Sequence, residues 1–172
     1  LGWELHHPIE MQNYIFDQVM EAGAEFDIKP FGIRAMDSMR LEKSYRLIPR
    51  EMSIEYSAFE SGLDRFVRLD KEEDFIGKTA LSQWQDTGPT NGFVTMEVLG
   101  IVDADARGSE AIYKDGEVVG RATSGGYGWR CGKSLALGLV RLELAAIGTE
   151  LEIEILGEKY KAIVIEESPF DP

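Results

Sequence analysis

At 172 residues the chain can hold one large domain or two small ones, with a real core in either case. Its apolar share of 44% is that of a soluble globular protein, and a formal net charge of −13 argues against nucleic acid or an anionic membrane as a partner. Cys131 is the only cysteine, which excludes an internal disulfide and a cysteine metal site, and no apolar run reaches membrane-spanning length.

No signal peptide is visible, so the expected location is the cytoplasm. The chain opens on Leu1 rather than Met, with Gly2-Trp3-Glu4-Leu5 already in strand-like register, which leads us to expect a piece of a longer protein. Trp3 to His6 reads as the end of a strand stopped by Pro8. A helix is expected from Ile9 to Glu21, where Met11, Tyr14, Ile15, Gln18 and Val19 recur at helical spacing and Gly23 stands past the end. Pro30-Phe31-Gly32 is punctuation. A second helix starts near Ile33 and carries Met36, Met39 and Arg40; Leu41 to Ile48 then turns into a strand that Pro49 stops.

Arg50 to Ser61 has no clear period. Leu63 to Leu69 alternates as a strand, and Phe75 to Gln85 opens as a short helix with Leu81 and Trp84 on one face. Thr87 to Gly92 is the best linker and the natural domain boundary. Everything after it reads as β: Phe93 to Val102, a hairpin from Ala111 to Thr123 turning at Asp115-Gly116, Ser134 to Arg141, Glu150 to Ile155, and Tyr160 to Ile165. Short, regularly spaced strands with tight turns make a small antiparallel barrel or sandwich. Ser124 to Trp129 puts three glycines and two aromatics into six residues, read as a glycine-rich turn and docking edge. Gly132-Lys133-Ser134 is not a phosphate loop, because an apolar strand-like run follows it instead of a helix.

Few residues carry chemistry by spacing alone. His6 and His7 would point to opposite faces of a strand, and no third metal ligand is suggested near them. Cys131, between Arg130 and Lys133, is either a thiol of lowered pKa or a small buried turn residue, the latter being the simpler reading. Glu4 is either an exposed carboxylate or an acceptor for the paired N–H donors of an amino-heterocycle. Arg34 offers a planar fork for an anionic group, or is an ordinary surface charge.

Six blocks in order resemble the glycine-cleavage T-protein (aminomethyltransferase) family: Gly2-Trp3-Glu4-Leu5 with Pro8; Gly32-Ile33 with Asp37 to Lys43; Phe59 to Leu63; Asp74 to Lys78; Arg121 to Gly125; and Gly132 to Gly138. The version of this region at the C-terminus of dimethylglycine and sarcosine dehydrogenases is the more similar. Met36 stands where the aminomethyltransferases place an arginine, Arg34 lies two residues earlier, and Lys43-Ser44-Tyr45-Arg46 looks like that branch. The resemblance implies an α+β chain. The remainder of an α/β folate-binding domain would span 1–88, and a small antiparallel β-barrel 89–172. It implies tetrahydrofolate as the one-carbon acceptor, with Glu4 holding the pterin, Arg34 as a folate contact, and Tyr127 and Trp129 as pocket rim. It places the catalytic aspartate in an N-terminal half outside this chain, and FAD only in a missing N-terminal domain. The implied partners are folate, a small methylated amine and the missing half. The alternatives are an aminomethyltransferase of the glycine cleavage system, or a non-catalytic structural domain as an isolated fragment.

Overall fold

The computed structural model describes residues 2–171, which divide into two compact units that part between Ile33 and Arg34. In the first, a single 3-10 turn (Ile9–Met11) leads into helix α1 (Gln12–Gly23), close to the helix expected from periodicity. The expected strand at Trp3 to His6 is absent, for that segment is irregular and pairs with nothing among the described residues. The helix stop also differs. Gly23 is itself helical, and the left-handed position falls on Asp27 (φ 53°) after a second 3-10 turn (Ala24–Phe26). The Ile28 N–H folds back onto the Gly23 carbonyl at 3.2 Å, a Schellman-type closure, and a Cβ on Gly23 would lie 2.7 Å from the Ile28 side chain. Gly23 therefore makes room for the residue that ends the helix.

The second unit holds helix α2 (Ile33–Glu42, from Arg34 onward), an irregular stretch with one 3-10 turn (Asp64–Phe66), helix α3 (Lys78–Thr87) and six strands. The strands are β1 (Asn91–Val98), β2 (Ala111–Lys114), β3 (Glu117–Gly128), β4 (Lys133–Arg141), β5 (Glu150–Ile155) and β6 (Glu158–Ile165). All pairings are antiparallel, and the order β1-β4-β3-β2-β5-β6 closes into a barrel, so no edge is left unpaired. The α+β class holds, and of the two β architectures expected the barrel is the one formed.

Alternation explains the barrel core. Val94, Met96, Ala136, Val140, Ile112, Ile153, Ala162 and Val164 fill one cluster, while Leu135 and Leu137, one residue out of phase on β4, form a second with Leu41 of α2. β4 is thus buried on both faces, which is why its sequence is a continuous apolar run. Burying the Leu41 side chain on the outer face of β4 is worth about 2–3 kcal/mol.

Two further expected strands do not form. α2 runs to Glu42, and residues 43–48 form a turn and irregular backbone instead of a strand. Leu63 to Leu69 contains the 3-10 turn and no ladder, although its residues alternate. Alternation specifies a strand only where a neighbour offers an unpaired edge, and the closed barrel offers none. The glycine-rich run is also not a turn: Ser124 to Gly128 continue β3 and pair with Leu137 to Lys133, and the chain reverses only at Trp129 to Gly132. Its docking role is borne out. A Cβ on Gly126 would touch Leu41 at 3.0 Å, and one on Gly128 would lie 3.0 Å from Glu42, so missing side chains let α2 settle on β3.

Candidate functional site

The residues singled out from sequence fall into two places. Glu4, in the first unit, has a side chain 88% exposed, with Oε2 3.4 Å from Nε2 of the equally exposed His6. Its carboxylate is open to an incoming donor edge. His7 turns its Nδ1 to the Pro8 carbonyl at 2.9 Å, and no group of metal ligands forms among the described residues.

In the second unit, Arg34 lies exposed on the first turn of α2, its guanidinium making no hydrogen bond or ion pair among the described residues. Ser38, one turn later on the same helix face, donates to the Tyr127 carbonyl at 2.7 Å, which docks that face beside the end of β3. Tyr127 and Trp129 meet edge to face, with ring centroids 5.0 Å apart and planes at 75°. Both are exposed, Trp129 by 79%, so they offer flat apolar area beside the helix that carries Arg34.

Cys131 is no activated thiol. Burial pushes its pKa up, and this outweighs the lowering hydrogen bond from the Lys133 backbone N–H; the Glu42 carboxylate adds to the rise, while Sγ donates to the Gly128 carbonyl at 3.6 Å. The neighbouring cations that favour a thiolate in sequence do not prevail in space, since Lys133 pairs with Glu97 and Glu42 sits against the turn.

Sequence reading missed a buried polar cluster. Glu51 is fully buried. Its Oε1 accepts from the hydroxyls of Thr123 (2.5 Å) and Ser124 (2.6 Å), and its Oε2 accepts from the Leu47 N–H (2.8 Å) and lies 3.7 Å from Nη1 of Arg40. Consecutive strand residues normally point to opposite faces; here a bulge in the β3–β4 ladder at Thr123 turns both hydroxyls onto one carboxylate. Arg40, itself nearly buried, is held by Asp37 at 2.8 Å and by the Tyr45 carbonyl at 3.2 Å. Glu42 accepts from the N–H groups of Arg130 (2.5 Å) and Cys131 (3.2 Å), and Arg46 binds Glu167 through two nitrogens while lying 3.7 Å over the Phe93 ring. The Asp37-to-Arg46 and Thr123-Ser124 blocks are thus two halves of one clamp fastening α2 and its following loop to the barrel. Thr123-Ser124 was legible as a signature; Glu51 sits in a stretch with no period to flag it.

Glu60 closes a second polar tie. Partial burial raises its pKa, but hydrogen bonds from Ser57, Asn91 and Thr90 outweigh this and hold the carboxyl below the usual range. It fastens the 57–60 turn to the start of β1, with the Phe93 N–H donating to its carbonyl at 2.9 Å.

Compared with known proteins, residues 1–71 match the model of the GCVT N-terminal domain, and residues 92–171 that of the glycine cleavage T-protein C-terminal barrel domain. The chain is 42% identical over 167 residues to mitochondrial dimethylglycine dehydrogenase of Homo sapiens, spanning 97% of this chain and 19% of that protein. It is 34% identical over 166 residues to an aminomethyltransferase of Geobacillus thermodenitrificans, spanning 95% of this chain and 44% of that one. The crystal structure of glycine cleavage system aminomethyltransferase T from Bartonella henselae superposes with a TM-score of 0.78 at 22% identity, over 94% of this chain and 44% of that one, which shows the shared fold. The chain therefore spans less than half the length of each of these relatives.

Proposed function

The chain belongs to the glycine-cleavage T-protein family, and from that premise we propose that it is the folate-binding C-terminal part of a dimethylglycine or sarcosine dehydrogenase-like enzyme. The whole enzyme passes the one-carbon unit of an oxidised N-methyl amine to tetrahydrofolate. What carries this reading over its relatives is identity: 42% to the dehydrogenase against 34% to the aminomethyltransferase over nearly the same stretch.

Tetrahydrofolate, when bound, supplies the amine that accepts the one-carbon unit. This chain's own residues bind and orient. Glu4 has a carboxylate engaged only by an exposed histidine, which suits two parallel N–H donors of an amino-heterocycle. Arg34 has a guanidinium fork that no residue among those described engages, which suits a carboxylate. Tyr127 and Trp129 supply apolar rim. Each role rests on that residue's own surroundings. Holding acceptor and donor together is itself worth about 7–11 kcal/mol of barrier at best. By this reading the amine oxidation, with its flavin, lies in chain outside these 172 residues, as does the catalytic aspartate.

The test is product formation by the full-length parent. We expect 5,10-methylenetetrahydrofolate from dimethylglycine or sarcosine; product only from the aminomethyl donor of glycine cleavage would move the assignment to the aminomethyltransferase. In that parent, Glu4→Gln presents a donor where the pterin also donates and is expected to weaken tetrahydrofolate about tenfold or more. Unchanged affinity would remove Glu4 from the site. The 172-residue chain alone, with only part of a cleft, is expected to bind tetrahydrofolate poorly, and low-micromolar affinity by calorimetry would overturn that.

A further inference from the structure

A cleft of about 230 Å³ opens between β3 and the loop that precedes β2, on the side of the barrel reached by the loop after α2. Arg50, Arg107 and Arg121 line it, with no carboxylate among the lining residues, in a chain where acidic residues outnumber basic ones 31 to 18. Gathering like charges in such a chain runs against its overall composition and calls for a reason.

The nearby carboxylates are already committed. Glu55 pairs with one nitrogen of Arg121. Glu110 spends both oxygens on the backbone N–H groups of Arg107 (2.8 Å) and Gly108 (2.7 Å), and Glu51 serves Thr123 and Ser124. The guanidinium donors are not. Arg50 uses Nη1 on the Arg107 carbonyl and the Ser124 hydroxyl, while its other nitrogens have no acceptor among the described residues. The Arg107 side chain has no acceptor there either, and Nε of Arg121 is buried without one. A buried guanidinium nitrogen left unpaired is a costly arrangement in a folded protein.

The cleft is also preformed. The Ser109 N–H donates to the Ala122 carbonyl at 2.7 Å, and the Ala122 N–H to the Glu110 carbonyl at 2.8 Å, pinning the loop to β3. Gly108, at φ 119°, lies so close that a Cβ would stand 2.8 Å from the Thr123 carbonyl oxygen. Arg107 is thereby presented from a fixed backbone.

We propose that this cleft binds a small oxyanion, the phosphate or carboxylate group of a metabolite, held by the guanidinium groups of Arg50 and Arg107, with Arg121, one of whose nitrogens is taken by Glu55, adding positive charge to the wall. Planar forks match either group with two parallel hydrogen bonds, and an anion would take up donors the fold leaves open.

The test titrates the full chain separately with inorganic phosphate and with glutarate, read by calorimetry and by amide NMR shifts at 107–109 and 121–123. Saturable millimolar binding is expected, weakening with added salt, and reduced about tenfold by Arg107→Gln and by Arg50→Gln. Arg65→Gln, outside the cleft, should leave it unchanged. Arg107→Gln removes no intramolecular bond, so unfolding is not expected, and a melting curve checks this. Tighter phosphate identifies a phosphoryl ligand and tighter glutarate a carboxylate ligand; either supports the site. No saturable binding of either probe, or equal binding by the cleft variants and the control, overturns it. The amide shifts at 107–109 and 121–123 and the Arg107→Gln and Arg50→Gln variants report on this cleft alone, and none of its residues is used by the folate assignment, so the two can fail separately.

Discussion

Replacing Glu51 by glutamine tests whether the buried clamp holds this barrel to its helical attachment. The carboxylate accepts three hydrogen bonds and faces a guanidinium 3.7 Å away, all out of solvent. An amide keeps the shape but accepts on one side only. With its oxygen toward the hydroxyls, its NH₂ opposes the Leu47 N–H and Arg40. Turned over, the Thr123 and Ser124 hydroxyls can accept from it, because Thr123 already has the Leu137 carbonyl at 3.1 Å as an alternative acceptor. Arg40 then loses a countercharge while retaining Asp37 and Tyr45. Hydrogen bonds to charged groups contribute about 1.5–3 kcal/mol each, and breaking a buried pair costs about 3–5 kcal/mol. Allowing for the second orientation, Glu51→Gln should destabilise by about 3 kcal/mol. For a unit of this size that corresponds to roughly 10 °C in Tm. Urea unfolding followed by circular dichroism measures it, at unchanged m-value. A Glu51→Gln variant within about 0.5 kcal/mol of the parent, with the same m-value, refutes the assignment.

Three further outcomes follow from single contacts. Gly138→Ala puts a methyl 2.7 Å from the Arg121 carbonyl oxygen and 3.0 Å from Ile112 inside the barrel, so a loss of about 2–3 kcal/mol is expected in denaturant unfolding; a neutral variant would mean the strands can part there. Glu60 has a folded-state pKa below its unfolded value, so its stabilisation is complete above about pH 4.3 and fades as pH falls through the lower folded value. The stability difference between the parent and Glu60→Gln should shrink on acidification through that window, and a difference that is flat in pH counts against the tie. Cys131 should react slowly with alkylating agents at neutral pH, its rate rising only above the ordinary thiol range of about 8.5; a midpoint below that would contradict the burial argument.

Period-two alternation and turn chemistry are local properties, and they determined much of the barrel by themselves. The Asp115-Gly116 hairpin and strands β1 to β6 stand close to where the pattern puts them, with Asp115 and Gly116 both at positive φ as their residue types favour. The same rule misled at Leu63 to Leu69 and at Trp3 to His6, because a strand requires a partner edge and residue order says nothing of whether one is free. Residue type left two readings open for Glu4 and Arg34, and only the family resemblance gave them and Tyr127 and Trp129 an expected role, since an exposed charge or ring leaves no periodic trace. Glu51, Arg50 and Arg107 were not legible at all, and Arg121 only as part of a family block, not as a cleft residue. Arg50 and Arg107 stand 57 positions apart in the sequence, yet a hydrogen bond joins them. Burial, the bulge that aims Thr123 and Ser124 at one carboxylate, and the convergence of three guanidinium groups all arise from pairings between distant segments. Tertiary structure alone decides these, because desolvation and proximity exist only once the chain has closed on itself.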